Sequence, residues 1–225
     1  MFDSRSIPST LPETGPLLGA AFFDRAPDIV APELLGAWLL SGVGGEPTGG
    51  RIVEVEAYLG SDDPGSHAAT HGITKRNAVM YGPPGTAYVY FTYGNHHMVN
   101  LVCESVGVAG AVLIRAIEPL VGLDTMLARR AGRTAGELCN GPGKLAAALG
   151  VDLSDNGRVL GAARLAAYAS AVARPVETCI SGRVGLSRGH ELALRWYVAG
   201  SPFVSRAKIG PVGKRRRPQD EEDAG

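Results

Sequence analysis

The sequence predicts an α+β fold: one domain built on a mostly antiparallel, curved sheet, with helices around it and a protruding β-hairpin. Three observations lead there. RIVEVEAYL (51–59) and AYVYFTY (87–93) alternate in the strand period of two. AGAVLIRAIEP (109–119) is a nearly all-apolar strand with Arg115 inside it. Short helical segments fall between the strands without the repeating strand–helix–strand order of a parallel sheet. At 225 residues the chain is long for one domain and short for two, and 45% apolar residues suffice for one core.

Taken in order, residues 1–17 lack periodicity and read as a flexible arm, 18–207 as the domain, and 208–225 as a disordered tail whose KRRR is followed by four acidic residues. APELLGAWLL (31–40) predicts a helix, and SGVGGEPTGG (41–50) a glycine-rich turn. Along the strand at 51–59, Val53, Val55, Ala57 and Leu59 share one face, and Ile52, Glu54, Glu56 and Tyr58 the other, polar one. Residues 60–86 are mostly loop. In the next strand Tyr88, Tyr90 and Thr92 share a face opposite Val89, Phe91 and Tyr93, and Gly94-Asn95 forms the tip of a hairpin returning through HHMVNLVCE. Helices are predicted from Asp124 to a stop at Gly132, and over GPGKLAAALG with Gly150 past its end. GRVGL (182–186) and LALRWYVAGSPFVS (192–205) read as strands.

Composition narrows the function classes. Lysine plus arginine equal aspartate plus glutamate at 22 each, which argues against holding nucleic acid by bulk charge while permitting a local basic face. Three scattered cysteines without C-x-x-C read as reduced thiols. No apolar run is long enough for a membrane span, and the acidic start is unlike a signal peptide, so a soluble intracellular protein is expected.

Several motifs fail on inspection. GPGK at 141–144 is not a phosphate loop: Leu138 replaces its first glycine and Leu145 its Ser/Thr. His67 and His71 are four apart, but DPGSHAATHG is a poor helix and there is no H-E-x-x-H, so no metal is expected. No strand-linked G-x-G-x-x-G is present.

Glu56 and Arg115 survive. Glu54 and Glu56 on one strand face raise the cost of ionising both, which can push one carboxyl upward toward a useful base. Arg115 in an apolar strand needs an anionic partner. A surface glutamate and a structural salt bridge would explain the same residues. Core packing equally explains Tyr90. Tyr93 at a hairpin tip is harder to assign to packing and suits insertion between bases.

RIVEVEAYLG, His67, KRNAVMYGPPGTAYVYFTYG, Asn100-Leu-Val, AVLIRAIEP, GPGKL and RWYVAGSPFVS, in this order over roughly residues 18–206, resemble the alkyladenine (3-methyladenine) DNA glycosylase family. The resemblance implies a monofunctional hydrolase that flips an alkylated or deaminated purine, such as 3-methyladenine, hypoxanthine or ethenoadenine, out of double-stranded DNA. It would cleave the N-glycosidic bond and leave an abasic site. Glu56 would activate the water with help from Arg115. Tyr58, His67 and Tyr90 would line the base pocket, and Asn100 would crowd the amino group of normal guanine. Tyr93 would fill the gap in the stack with Met80 wedged nearby, and Arg76, Lys144 and Arg195 would contact phosphates. No cofactor, metal or membrane is implied, and a monomer in the bacterial cytoplasm, associated with the nucleoid, is expected. A glycosylase-lyase using Lys144 as an amine nucleophile, and a non-catalytic binder of damaged duplex, are the alternatives.

Overall fold

The computed structural model describes residues 13–92, 94–161, 163–172 and 176–206. Among these, nine strands form one open antiparallel sheet accompanied by five helices, so the fold is α+β. The strands are β1 (Thr14–Leu17), β2 (Trp38–Ser41), β3 (Thr48–Tyr58), β4 (Ala87–Thr92), β5 (His96–Val102), β6 (Ala111–Val121), β7 (Leu165–Ser170), β8 (Thr178–Ser181) and β9 (Arg195–Val198). Their order is β1-β7-β2-β3-β6-β5-β4. The central strand β3 pairs with β6 on one edge and divides its other edge: Thr48–Arg51 meet β2 and Glu54–Glu56 meet β9, which also carries β8.

The helices are α1 (Ala20–Phe23), α2 (Pro27–Glu33), α3 (His67–His71), α4 (Leu123–Arg129) and α5 (Pro142–Leu149). Proline opens α2 and α5 where an N–H has no helical partner to lose, and Gly150 closes α5 in the left-handed conformation. Val30 and Ala31 of α2, Met126 of α4 and Leu145, Ala146, Ala148 and Leu149 of α5 pack with Val55, Ala57, Val89, Val99, Leu101, Val112 and Ile114. One sheet face is thus consumed by the core, and Glu54 and Glu56 lie on the other.

Two irregularities re-aim side chains along β3 and β6. Ile52 faces Ile117 and Glu54 faces Ala116, so Val53 is an extra residue on β3; Val55 faces Ile114, so Arg115 is an extra residue on β6. The first bulge reverses the expected position of Ile52, which joins Val55 and Ala57 in the core rather than the carboxylates. Beyond it, the register runs straight across five strands: Tyr88 faces Asn100, Asn100 faces Leu113, Leu113 faces Glu56 and Glu56 faces Arg195. Directly opposed residues share a face, so this row projects on the non-core side of the sheet.

Other expectations are corrected. Thr14–Leu17, placed in a loose arm, is a strand paired with β7. The helix expected over 31–40 stops early: α2 ends at Glu33, Gly36 adopts φ +83, and Trp38–Ser41 form a buried strand. Gly49 and Gly50 belong to β3 rather than to the turn, and a side chain at Gly50 would fall 1.8 Å from Glu118 O. Within the expected loop at 60–86, Ser66 caps α3 by accepting from Ala68 N. The alanine-rich β7 was missed, and GRVGL is irregular chain rather than a strand. Cys103, Cys139 and Cys179 are buried free thiols. No helix among the described residues is long and apolar enough to cross a membrane.

Candidate active site

Glu56 is 0% exposed on the face expected to be polar and wet. A buried carboxylate must be compensated, and three donors converge on it. Arg115 Nη1 lies 3.2 Å from Oε1, Val184 N donates to Oε1 at 2.7 Å, and the Tyr58 hydroxyl donates to Oε2 at 3.0 Å. Burial, followed by the charge of Glu56, pushes the Tyr58 phenol well above its ordinary range, so it remains a donor.

Glu54, also 0% exposed, is held more tightly. Its Oε1 accepts from Arg115 Nε at 2.8 Å, Arg195 Nε at 2.7 Å and Ser205 Oγ at 2.8 Å, and its Oε2 from Ser205 N at 2.6 Å. Burial alone would raise its proton affinity, but Arg115, Arg195 and the Ser205 N–H together outweigh it and hold the carboxyl below the ordinary range. The expected mutual repulsion of the two carboxylates is therefore answered by Arg115, which bridges them. For Arg115, burial opposes the charge, and Glu56 and Glu54 overcome it, raising the guanidinium above its ordinary value.

In front of this cluster opens a cleft of about 690 Å³ bounded by Tyr58, His67, Tyr90, Leu113, Arg115 and Leu186, among others. A smaller cavity of about 60 Å³, sharing Tyr58, His67 and Tyr90 with the cleft, has Tyr88, Asn100 and Met80 in its lining. His67, at the start of α3, has Nδ1 3.1 Å from the Tyr88 hydroxyl and its ring edge-on to Tyr90 at 4.8 Å. Tyr88 and Tyr90 lie 5.3 Å apart. Asn100 Nδ2 donates to Tyr88 O at 3.0 Å; a carbonyl can only accept, so this bond orients the amide and turns Oδ1 the other way.

Glu56, Arg115, Tyr58, His67, Tyr90 and Asn100 are thus brought together. Two others are not where the sequence put them. Met80 is 2% exposed and packs under the pocket with Tyr88, Val102 and Ala111, so it does not reach outward as a wedge. Arg195 is 0% exposed and bonded to Glu54 and Ser181, which removes it from any phosphate. Tyr93 lies outside the described residues, as does the tail from 207 on. Arg76 is exposed beside the hairpin, donates to Phe91 O at 2.9 Å and lies over the Tyr90 ring at 5.1 Å. Lys144, in the first turn of α5, donates to Asn140 Oδ1 at 2.8 Å. It lines a second groove, with Arg130, Arg133 and His96, that shares Met98 and Pro142 with the cleft. Arg183 and Asp63 were missed: they form a buried ion pair behind Tyr58, between segments whose sequences show no periodicity to link them.

Among the described residues, no group of three His, Cys, Asp or Glu is placed to hold a metal. Residues 21–202 match the family model described as methylpurine-DNA glycosylase. The chain belongs to the methylpurine-DNA glycosylase family. A Rhodopseudomonas palustris (strain BisB18) protein, provisionally named as a 3-methyladenine DNA glycosylase, is 48% identical over 206 residues, 92% of this chain and 98% of that one. Relatives with the same name from Chlorobaculum tepidum and Chlorobium phaeobacteroides are 43% and 45% identical, covering 89% and 86% of this chain and 96% and 97% of theirs. The methylpurine-DNA glycosylase family match spans the site from Glu54 to Arg195 and ends before Ser205.

Proposed function

We propose that the cleft receives an alkylated or deaminated purine flipped from double-stranded DNA, and that Glu56 activates the water that cleaves its N-glycosidic bond. Family membership makes the chain a DNA glycosylase, a hydrolase of N-glycosyl bonds. The observation that carries the finer reading is a buried carboxylate whose donors Arg115, Val184 and Tyr58 line an aromatic cleft. Among the described residues, Oε1 accepts from two groups and Oε2 only from Tyr58, so Oε2 retains a lone pair for a water proton. The water oxygen bonds to the sugar C1′, its proton passes to Glu56, and the purine leaves with the electron pair of the broken C–N bond. An abasic site remains.

The tyrosine faces suit the substrate class. A cationic base such as 3-methyladenine is drawn to aromatic faces and needs little help to leave. A neutral base such as hypoxanthine needs a proton or a good hydrogen bond, and His67 beside Tyr90 is placed to offer one. Flipping is least costly for weakly paired damaged bases, so selection begins before the pocket. Asn100, pinned by Tyr88 O, opposes the amino group of guanine. Asn100→Ser is expected to raise release of undamaged guanine about tenfold or more, measured as free base from long incubations. Unchanged guanine release would remove Asn100 from discrimination.

The second groove gives the duplex a path. Arg130, Arg133 and Arg206 all bear on Lys144, with Glu137 the acid among them, in a chain whose net charge is zero. Burial and Arg130 lower the Lys144 ammonium from its ordinary value. We assign phosphate contacts to Lys144, Arg133 and Arg76. Arg133→Gln and Lys144→Gln are each expected to reduce the slope of log binding constant against log salt by about one, alike for every DNA sequence. The position of Lys144 outside the Glu56 cleft speaks against its service as a lyase amine.

The test is a single-turnover assay on duplexes carrying hypoxanthine, ethenoadenine or a methylated purine, with chelator present and abasic product revealed by alkali. Base release without nicking supports the reading for a protein acting as a monomer. Tight binding with no release from any of these substrates would replace it with the non-catalytic binder.

A further inference from the structure

Two of the three protein donors to Glu56 depend on a contact that lies outside the cleft. Arg183, in the segment between β8 and β9, is fully buried against Asp63, Nη1 on Oδ2 and Nη2 on Oδ1. Its Nη1 also donates to Ala57 O at 2.9 Å and its Nη2 to Gly189 O at 3.1 Å. The guanidinium carbon sits 4.7 Å from the centre of the Tyr58 ring. Asp63 is itself held by Leu59 N at 3.1 Å and Gly65 N at 2.9 Å. The residue after Arg183 is Val184, whose N–H makes the shortest bond to Glu56, and the ring under Arg183 carries the hydroxyl on Oε2. A buried ion pair contributes little net stability over apolar residues of the same shape, so stability alone gives this pair no particular purpose.

We propose that Asp63 and Arg183 are positioning residues for Glu56: by pinning the 59–65 and 182–189 segments together, they fix the Val184 N–H and the Tyr58 hydroxyl against the carboxylate and so set how readily it takes a proton. The inference rests on the reading of Glu56 as the base. Each donor favours the charged carboxylate, so a retreating Val184 N–H weakens the hold on that anion. The other groups facing Glu56 are Arg115 from β6 and Tyr58 from its own strand. Glu54 and, from β9, Arg195 act through Arg115, and Tyr90 and His67 stand beyond Tyr58. Arg115 is bonded to Glu54 and Ser205 rather than to the Asp63–Arg183 pair.

Arg183→Lys tests this because it keeps the charge and loses the fork; one ammonium cannot face both Asp63 oxygens, Ala57 O and Gly189 O together. The acid limb of the single-turnover rate against pH is expected to move up by about half a pH unit or more, roughly a threefold loss on that limb, with the high-pH plateau far less affected. Asp63→Glu keeps its charge but changes the arm, and moves the limb the same way; it decides the matter if Arg183→Lys does not fold. A merely structural role lowers the unfolding temperature and leaves the limb in place, so a folded variant with the wild-type limb overturns the proposal. If Glu56→Gln is as active as wild type, the base assignment itself has failed, and this inference falls with it.

Discussion

Glu56→Gln is expected to lose base release by about a hundredfold to ten-thousandfold, the range that a positioned general base supplies, while binding the lesion duplex nearly as well as wild type. The substitution is the least disruptive available. The amide oxygen can still accept from Arg115 and Val184, and the amide nitrogen can face the Tyr58 oxygen. What disappears is the lone pair on Oε2 that takes the water proton. The loss should be smallest for a cationic methylated base, which leaves readily, and largest for hypoxanthine. A single-turnover comparison on both lesions, with binding followed in parallel, measures this. Equal rates for the two proteins would show that Glu56 is not the base.

Glu54 is expected to matter for stability as Glu56 does for rate. Glu54→Gln removes the charge that Arg115 and Arg195 share while leaving two guanidiniums buried, a loss of about 3–5 kcal/mol by chemical unfolding at neutral pH. The pH dependence has a definite sign. The folded carboxyl lies below its ordinary value of 4.5, because Arg115, Arg195 and Ser205 outweigh burial. Its contribution is therefore fully present above that ordinary value and is lost as pH falls through the lower, folded one. The difference in unfolding temperature between wild type and Glu54→Gln should be constant near neutrality and shrink on acidification below about pH 4.5. A constant difference down to strong acid would mean that Glu54 is not stabilised as an anion.

Strand alternation in RIVEVEAYL and AYVYFTY was legible, as were the hairpin and the end of α5 at Gly150. Glu56 and Arg115 stood out from the residues themselves, though a surface glutamate and a structural salt bridge explained them equally; the pocket roles of Tyr58, His67, Tyr90 and Asn100 came from motif order in a resemblance. Three kinds of information were out of reach for physical reasons. Register is one: nothing local says that Tyr88, Asn100, Leu113, Glu56 and Arg195 form one row, because pairing is decided between strands far apart in the chain. Bulges are another, since Val53 and Arg115 look like ordinary strand residues until the partner strand is known. Long-range charge pairing is the third. An arginine beside DNA and an arginine neutralised inside the protein are the same letter, which is why Arg195 was misplaced and the Asp63–Arg183 pair unseen.

The hold of Ser205 on both oxygens of Glu54 has a consequence for biosynthesis. The two glutamates leave the ribosome well before Val184, Arg195 and Ser205, which dress them. Until those residues have emerged, a nascent chain cannot complete the bonds around the two carboxylates. A product stalled before Val184 lacks a donor to Glu56, and one stalled before Ser205 lacks part of the hold on Glu54, even where the first strands have already formed.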